Sequence, residues 1–270
     1  MASLVSRGGM DRPPVSWCTT PVARRRSAPP QSDKPYLRAA RTEQSSVDGS
    51  RFPFTIPAFA DGIDLTFDTK VTMFVGENGS GKSTLLEAIA VCCGFNPEGG
   101  NRNHHYERHE DVPALARALR LSWLPKVTSG FFLRAESFFN FASYLDAIGS
   151  QDAYGVKSLH GQSHGESFLA LFTNRFTHGI YILDEPEAAL SPQRQLAFLK
   201  IIHDLERSGR AQFIIATHSP ILMSYPGSTI YSLDGNAIQC ITAAESDHVR
   251  LTRDFLNAPE RYFRRLFAPE

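Results

Sequence analysis

Val71-Thr72-Met73-Phe74-Val75-Gly76-Glu77-Asn78-Gly79-Ser80-Gly81-Lys82-Ser83-Thr84 decides how this chain is read. Gly76 to Ser83 fits the phosphate-loop pattern G-x-x-x-x-G-K-[ST], and the flanks supply the context that pattern requires. The apolar run Val71–Val75 reads as a buried strand. Leu85-Leu86-Glu87-Ala88-Ile89-Ala90-Val91 reads as the opening of a helix. Glycines let the backbone wrap an anion closely, with successive N–H groups and a helix N-terminus turned toward phosphate oxygens. Gly76, Asn78, Gly79, Ser80, Gly81, Lys82, Ser83 and Thr84 are therefore expected to cradle a nucleoside triphosphate. Lys82 would reach the β- and γ-phosphates, and the Ser83 hydroxyl would join a Mg²⁺ shell.

Working outward, 270 residues suffice for one full α/β core with tails. Lys and Arg number 28 against 28 Asp and Glu, so global charge gives no case for nucleic acid or an anionic membrane. The four cysteines, Cys18, Cys92, Cys93 and Cys240, lack metal-ligand spacing and suit a reducing cytoplasm. No apolar run reaches the length of a membrane span, so a membrane role would need a separate partner chain.

Residues 1–50 are rich in Pro, Arg and Ser, with eight Arg or Lys against four acids. They are expected to form a disordered basic tail without an apolar signal-peptide core. An ATPase-type domain is expected over 51–243, followed by a helical tail over 244–270 that breaks at Pro259. Phe52–Ile56 and Ile63–Phe67 alternate apolar and polar residues, which predicts an N-terminal antiparallel β portion. Phe52 or Phe54 would either pack within a strand or stack on a base. Phe131–Leu133 is a candidate strand. Gly179–Asp184 and Gln212–Thr217 are apolar strands flanking a helix that starts at Ser191-Pro192, with Leu196, Leu199, Ile202 and Leu205 at helical spacing. Strand–helix–strand order predicts an α/β fold with a mainly parallel sheet covered by helices. Residues 229–241 read as a final hairpin.

Asp184-Glu185 closes an apolar strand roughly a hundred residues after the loop. There Asp184 would hold Mg²⁺, and Glu185 would orient or deprotonate an attacking water. His218 follows a further strand. Together these residues make the chain resemble the ATP-binding-cassette ATPases over about residues 60–235. Ile182–Pro186 looks like their second nucleotide motif, Ala189-Leu190-Ser191 sits at their dimer-facing loop, and His218 looks like their switch histidine. Gln162-Ser163-His164-Gly165-Glu166-Ser167 resembles their Leu-Ser-Gly-Gly-Gln signature.

The resemblance implies ATP and Mg²⁺ as cofactors, an ATP-dependent homodimer, and Ser163 and Gly165 reaching ATP across that dimer. It is nearest to compact bacterial stand-alone ATPases of the AAA/ABC-like type, related to chromosome-maintenance and break-repair ATPases without coiled-coil arms. Departures from the pattern are His164 for Gly, Glu166 for Gln, and the absence of a Gln loop, for which Glu136 is a candidate substitute. That absence counts against a permease partner, although a transporter subunit, a DNA-associated or toxin–antitoxin-like ATPase, and an unidentified partner protein all stay open. His104, His105 and His109 fit no common zinc spacing and read as a solvated loop.

Overall fold

The computed structural model describes residues 31–97, 99–100, 113–134, 169, 172 and 176–268. The signature residues Ser163 and Gly165, Glu136, and the 104–109 histidines lie outside the described residues.

Six strands form the main sheet: β3 (Val71–Val75), β5 (Gly130–Arg134), β6 (Gly179–Asp184), β7 (Ala211–Ala216), β8 (Thr229–Ser232) and β9 (Gln239–Ile241), in the order β5-β6-β7-β3-β8-β9. All neighbours are parallel except β8 and β9, which form the expected hairpin. The parallel strands are apolar on both faces because both faces are covered. On one face Phe74, Phe132, Ile180, Ile182, Ile214 and Ala216 pack against α1 (Lys82–Cys93). On the other, Met73, Tyr181, Leu183, Phe213 and Ile215 pack with Phe172, Phe198 and Ile202. The last two belong to α3 (Pro192–Arg207). Each fully buried aromatic or aliphatic side chain here contributes about 1.5–3 kcal/mol.

Beyond α1 lies a second, antiparallel sheet in the order β2-β1-β4, made of β1 (Leu37–Thr42), β2 (Asp64–Thr66) and β4 (Leu119–Trp123). Short α2 (Ala114–Ala118) leads into β4. The antiparallel portion exists as expected, but its membership differs. Phe52–Ile56 is a series of turns, whereas Leu37–Thr42, assigned by composition to the tail, is the central strand of that sheet.

The reason is side-chain bonding that composition does not register. Buried Gln212 accepts the Leu37 N–H at 2.8 Å and donates to the Leu37 carbonyl at 3.1 Å, acting as a strand partner from β7. Buried Tyr36 donates its hydroxyl to Gly209 O at 3.0 Å. Boundary 51 is thus too late by at least β1.

The helix starting at Ser191-Pro192 is present as α3, with Gln195, Phe198 and Ile202 buried and Leu199 and Leu205 half-buried against the same core, whereas Leu196 is 59% exposed. Short α4 (Pro220–Met223) follows β7, capped by Ser219 Oγ, which accepts from the Ile221 and Leu222 N–H groups. The tail forms α5 (Asp247–Asn257) and α6 (Pro259–Leu266), broken before Pro259 as expected.

Candidate active site

β3 is flanked on both sides by parallel strands, so the loop leaving its carboxyl end emerges beside the ends of β7 and β6. That is where an open α/β sheet presents ligand sites. Gly76 has φ 146°, and a Cβ there would stand 2.9 Å from both Asp234 Oδ1 and Ser80 Oγ. Gly81 has φ 102° and precedes α1 without any side-chain cap. The first N–H groups of α1 are therefore open to an anion. Ser80 Oγ is buried and makes no hydrogen bond. The loop has the shape and free donors a phosphate chain requires.

Lys82 is only 4% exposed, and its ammonium donates to Gly76 O at 2.8 Å and Glu77 O at 3.0 Å. Burial lowers its pKa, while Glu185, Asp184, Asp234 and Glu77 act in the opposite sense. Its two carbonyl contacts curl the loop around its own charge. Thr84 is half-buried in the first turn of α1, and Asn78 and Gly79 are exposed at the loop tip.

Ser83 Oγ donates to Asp184 Oδ1 at 3.1 Å. Two oxygen ligands side by side suit Mg²⁺, which takes oxygen donors and fills its remaining positions with water or phosphate. Asp184 is 6% exposed, and burial pushes its carboxyl up to about 6 against the pull of Ser83 and Arg134. Arg134 Nε lies 3.7 Å from Asp184 Oδ2, and Arg134 Nη1 lies 3.4 Å from Glu87 Oε2.

Glu185 is the one non-glycine residue in the left-handed region among the described residues, at φ 51° and ψ 51°. Such a conformation costs roughly 1–2 kcal/mol in an L-residue and turns the side chain away from the strand line. Its Oε1 stands 3.4 Å from His218 Nε2, a charge-pair distance outside hydrogen-bond geometry. The His218 backbone N–H donates to Glu187 Oε1 at 2.6 Å. Desolvation and the Lys82 charge lower the His218 pKa, so the ring is neutral near pH 7. Within the loop facing the expected dimer, Leu190 is buried and its carbonyl accepts from Gln195 Nε2 at 3.1 Å. Gln195 Oε1 in turn accepts from Ser219 Oγ at 2.5 Å.

The structure thus brings Lys82, Ser83, Asp184, Glu185 and His218 together at the carboxyl ends of β3, β6 and β7. Of the two candidate adenine-stacking aromatics, Phe54 is buried and Phe52 is 65% exposed. Sequence reasoning missed Arg134, Glu187, Asp234 and His248. Asp234 Oδ1 accepts the Glu77 N–H at 2.7 Å across 157 residues, and no local pattern marks it.

A phosphate loop between a central parallel strand and a helix, facing an acid pair and a histidine on the next two strands, is the arrangement of a P-loop nucleotide site. Family models agree: residues 56–160 match "AAA domain", and residues 165–224 match "AAA domain, putative AbiEii toxin, Type IV TA system". The chain is similar to ABC-type P-loop ATPases.

Among curated proteins it is 30% identical over 164 residues to the hemin import ATP-binding protein HmuV of Pseudomonas aeruginosa, covering 52% of this chain and 64% of HmuV. It thus spans just under two thirds of that relative's length. It is also 22% identical over 231 residues to the tungstate uptake system ATP-binding protein TupC of Campylobacter jejuni, covering 73% of this chain and 69% of TupC. Solved structures similar to it include the SMC head domain from Thermotoga maritima, at 15% identity, TM-score 0.44, and 77% and 98% coverage of the two chains. Another is a nucleotide-free ATP-binding cassette from an ABC transporter, at 16% identity, TM-score 0.46, and 83% and 98% coverage.

Proposed function

We propose that the protein hydrolyses ATP in a Mg²⁺-dependent manner as a head-to-tail homodimer with two nucleotides between its subunits. The observation that carries the reading is the convergence of Ser83 on Asp184 at 3.1 Å and of Glu185 on His218 at 3.4 Å beside the buried Lys82. Gly76 to Thr84 bind the triphosphate, and Lys82 neutralises its charge. Ser83 and Asp184 would hold Mg²⁺, which would supply charge compensation for the phosphates. Glu185 accepts the proton of the attacking water, and His218 donates toward the γ-phosphate. Ser163 and Gly165 act across the dimer. The core domain extends to residue 243, and the protein works in the cytoplasm.

Among the described residues no helix is long and apolar enough to cross a membrane, so a transport role would require a separate permease. The names of HmuV and TupC favour that coupling over a DNA-associated role, for which the balanced charge offers no support.

Glu185→Gln tests the role assignment. It should retain ATP binding, lose hydrolysis by about a hundredfold or more, and accumulate as an ATP-bound dimer in size-exclusion chromatography. A fully active mutant would sink the role of Glu185. Co-purification of the trapped dimer with a polytopic membrane protein supports the transporter coupling. ATPase activity stimulated by DNA and lost as salt rises supports the other.

A further inference from the structure

His218 has a partner outside the nucleotide motifs. His248, in the first turn of α5, places its Nε2 3.2 Å from His218 Nδ1 and 3.5 Å from Gly76 O. The two rings stand nearly perpendicular, at 85° with centroids 4.9 Å apart. The start of α5 is fixed in place: Ser246 is buried with its hydroxyl 3.4 Å from Met223 Sδ, and Val249 packs on the core.

The hydrogen on each ring follows from what each neighbour can accept. Gly76 O is a carbonyl and only accepts, so a proton on His248 Nε2 is the tautomer that makes use of the 3.5 Å contact. That same N–H then points at His218 Nδ1, which must offer a lone pair. A neutral imidazole has one donor and one acceptor nitrogen, so the remaining proton of His218 sits on Nε2. Nε2 is the buried atom without a hydrogen-bond partner that lies 3.4 Å from the Glu185 carboxylate. The opposite tautomer would turn a lone pair toward Glu185 and leave no donor there.

We infer that His248 is a positioning residue that forks its Nε2–H between Gly76 O and His218 Nδ1, thereby fixing His218 in the tautomer that can donate to a γ-phosphate. The tautomer stands on the geometry of a neutral His218 ring; its consequence for turnover rests on the ATPase reading. The groups that act electrostatically on His218 are Lys82, Glu185, His248 and Glu77, and Lys82 disfavours a second proton. The same contact ties the C-terminal helices to the candidate site, so any displacement of α5 releases the histidine.

The test uses full-length nucleotide-free protein labelled with [¹⁵N]histidine, with His218 signals assigned from a His218→Gln sample. Long-range ¹H–¹⁵N spectra near pH 7.5 should show His218 protonated on Nε2. His248→Phe keeps an aromatic ring but no donor, and His218 should then populate the Nδ1–H form. In ATP turnover, kcat should fall by roughly 10–100-fold, the range typical of groups that orient a histidine, while the Kd for ATP changes less than about twofold. His248→Gln, which retains an N–H donor, should recover most of the loss.

An Nδ1–H tautomer in the unmodified protein overturns the inference, as does His248→Phe with both His218 tautomer and kcat unchanged. If His248→Phe fails to fold, the unmodified spectrum still decides. A His218 tautomer that changes in His248→Phe, in a protein with no ATPase activity, would instead sink the hydrolysis reading and leave the His248 assignment standing.

Discussion

Arg134 stands directly across the parallel β5–β6 pair from Asp184, and the two are register partners with Nε 3.7 Å from Oδ2. Without metal, this guanidinium is the nearest cation among the described residues to a carboxylate that burial makes reluctant to ionise. The attraction does not offset the desolvation, since the carboxyl stays raised from 3.8 to about 6.

That inequality gives the first prediction. Between these two values the folded state binds more protons at Asp184 than the unfolded state does. Stability of the nucleotide- and metal-free protein should therefore fall as pH rises from about 4 to about 6, by up to about 3 kcal/mol from this group. Asp184→Asn removes the loss. In urea melts with a chelator, the variant should match wild type near pH 4 and exceed it near pH 7.5. A variant less stable than wild type at the higher pH would contradict the sign.

Asp234 shapes the phosphate loop from behind, through the Glu77 N–H at 2.7 Å, and Ser232 Oγ at 3.3 Å orients its carboxylate in turn. Asp234→Ala should cost about 1–2 kcal/mol of loop order, seen as a roughly 5–30-fold weaker Kd for a fluorescent ATP analogue. Removing a negative charge near a triphosphate acts in the other direction. Asp234→Asn separates the two effects, because it keeps an acceptor oxygen and should bind at least as well as wild type. Equal affinity in Asp234→Ala would show that the loop holds its shape unaided.

Gly81 is packed as well as turned. A Cβ at this residue would lie 2.8 Å from Phe59 Cζ and 3.2 Å from Ile56 Cδ1, and Phe59 is fully buried. Gly81→Ala should destabilise by about 2–4 kcal/mol, combining left-handed strain with overpacking. Adding Phe59→Leu should return the packing part only. Denaturant midpoints of the two variants measure the split, and an unchanged midpoint for Gly81→Ala would show that Phe59 simply moves aside.

The parallel sheet was legible in the sequence because its strands are short continuous apolar runs ending in Gly76, Asp184 and His218, so the runs and the chemistry marked each other. β1 was not legible. Leu37–Thr42 carries Arg38 and Arg41 within a basic segment, and the bond that fixes it comes from Gln212, 175 residues away. Phe52–Ile56 misled in the opposite sense: its alternation is real, but Pro53 and Pro57 interrupt it, and the segment closes as turns that bring Ile56 and Phe59 under the phosphate loop. On α3, polar Gln195 faces inward because Leu190 O and Ser219 Oγ satisfy its amide, a trade that hydrophobic periodicity does not anticipate. Lys82, Ser83 and Asp184 were legible as motifs. Asp234 and His248 were not, since each contributes one side chain from distant sequence.

The central place of β3 also constrains when the protein can work. Its strand partners on either side, β7 and β8, are completed only at Ala216 and Ser232, and the loop's further contacts come from Asp234 and His248. During synthesis the phosphate loop emerges well before the strands and side chains that complete it. Closing such distant pairings is the slow part of folding and leaves apolar strands such as β3 uncovered meanwhile. Nucleotide capture thus follows the pairing of β7 and β8 with β3, and reports that the sheet around the loop is finished.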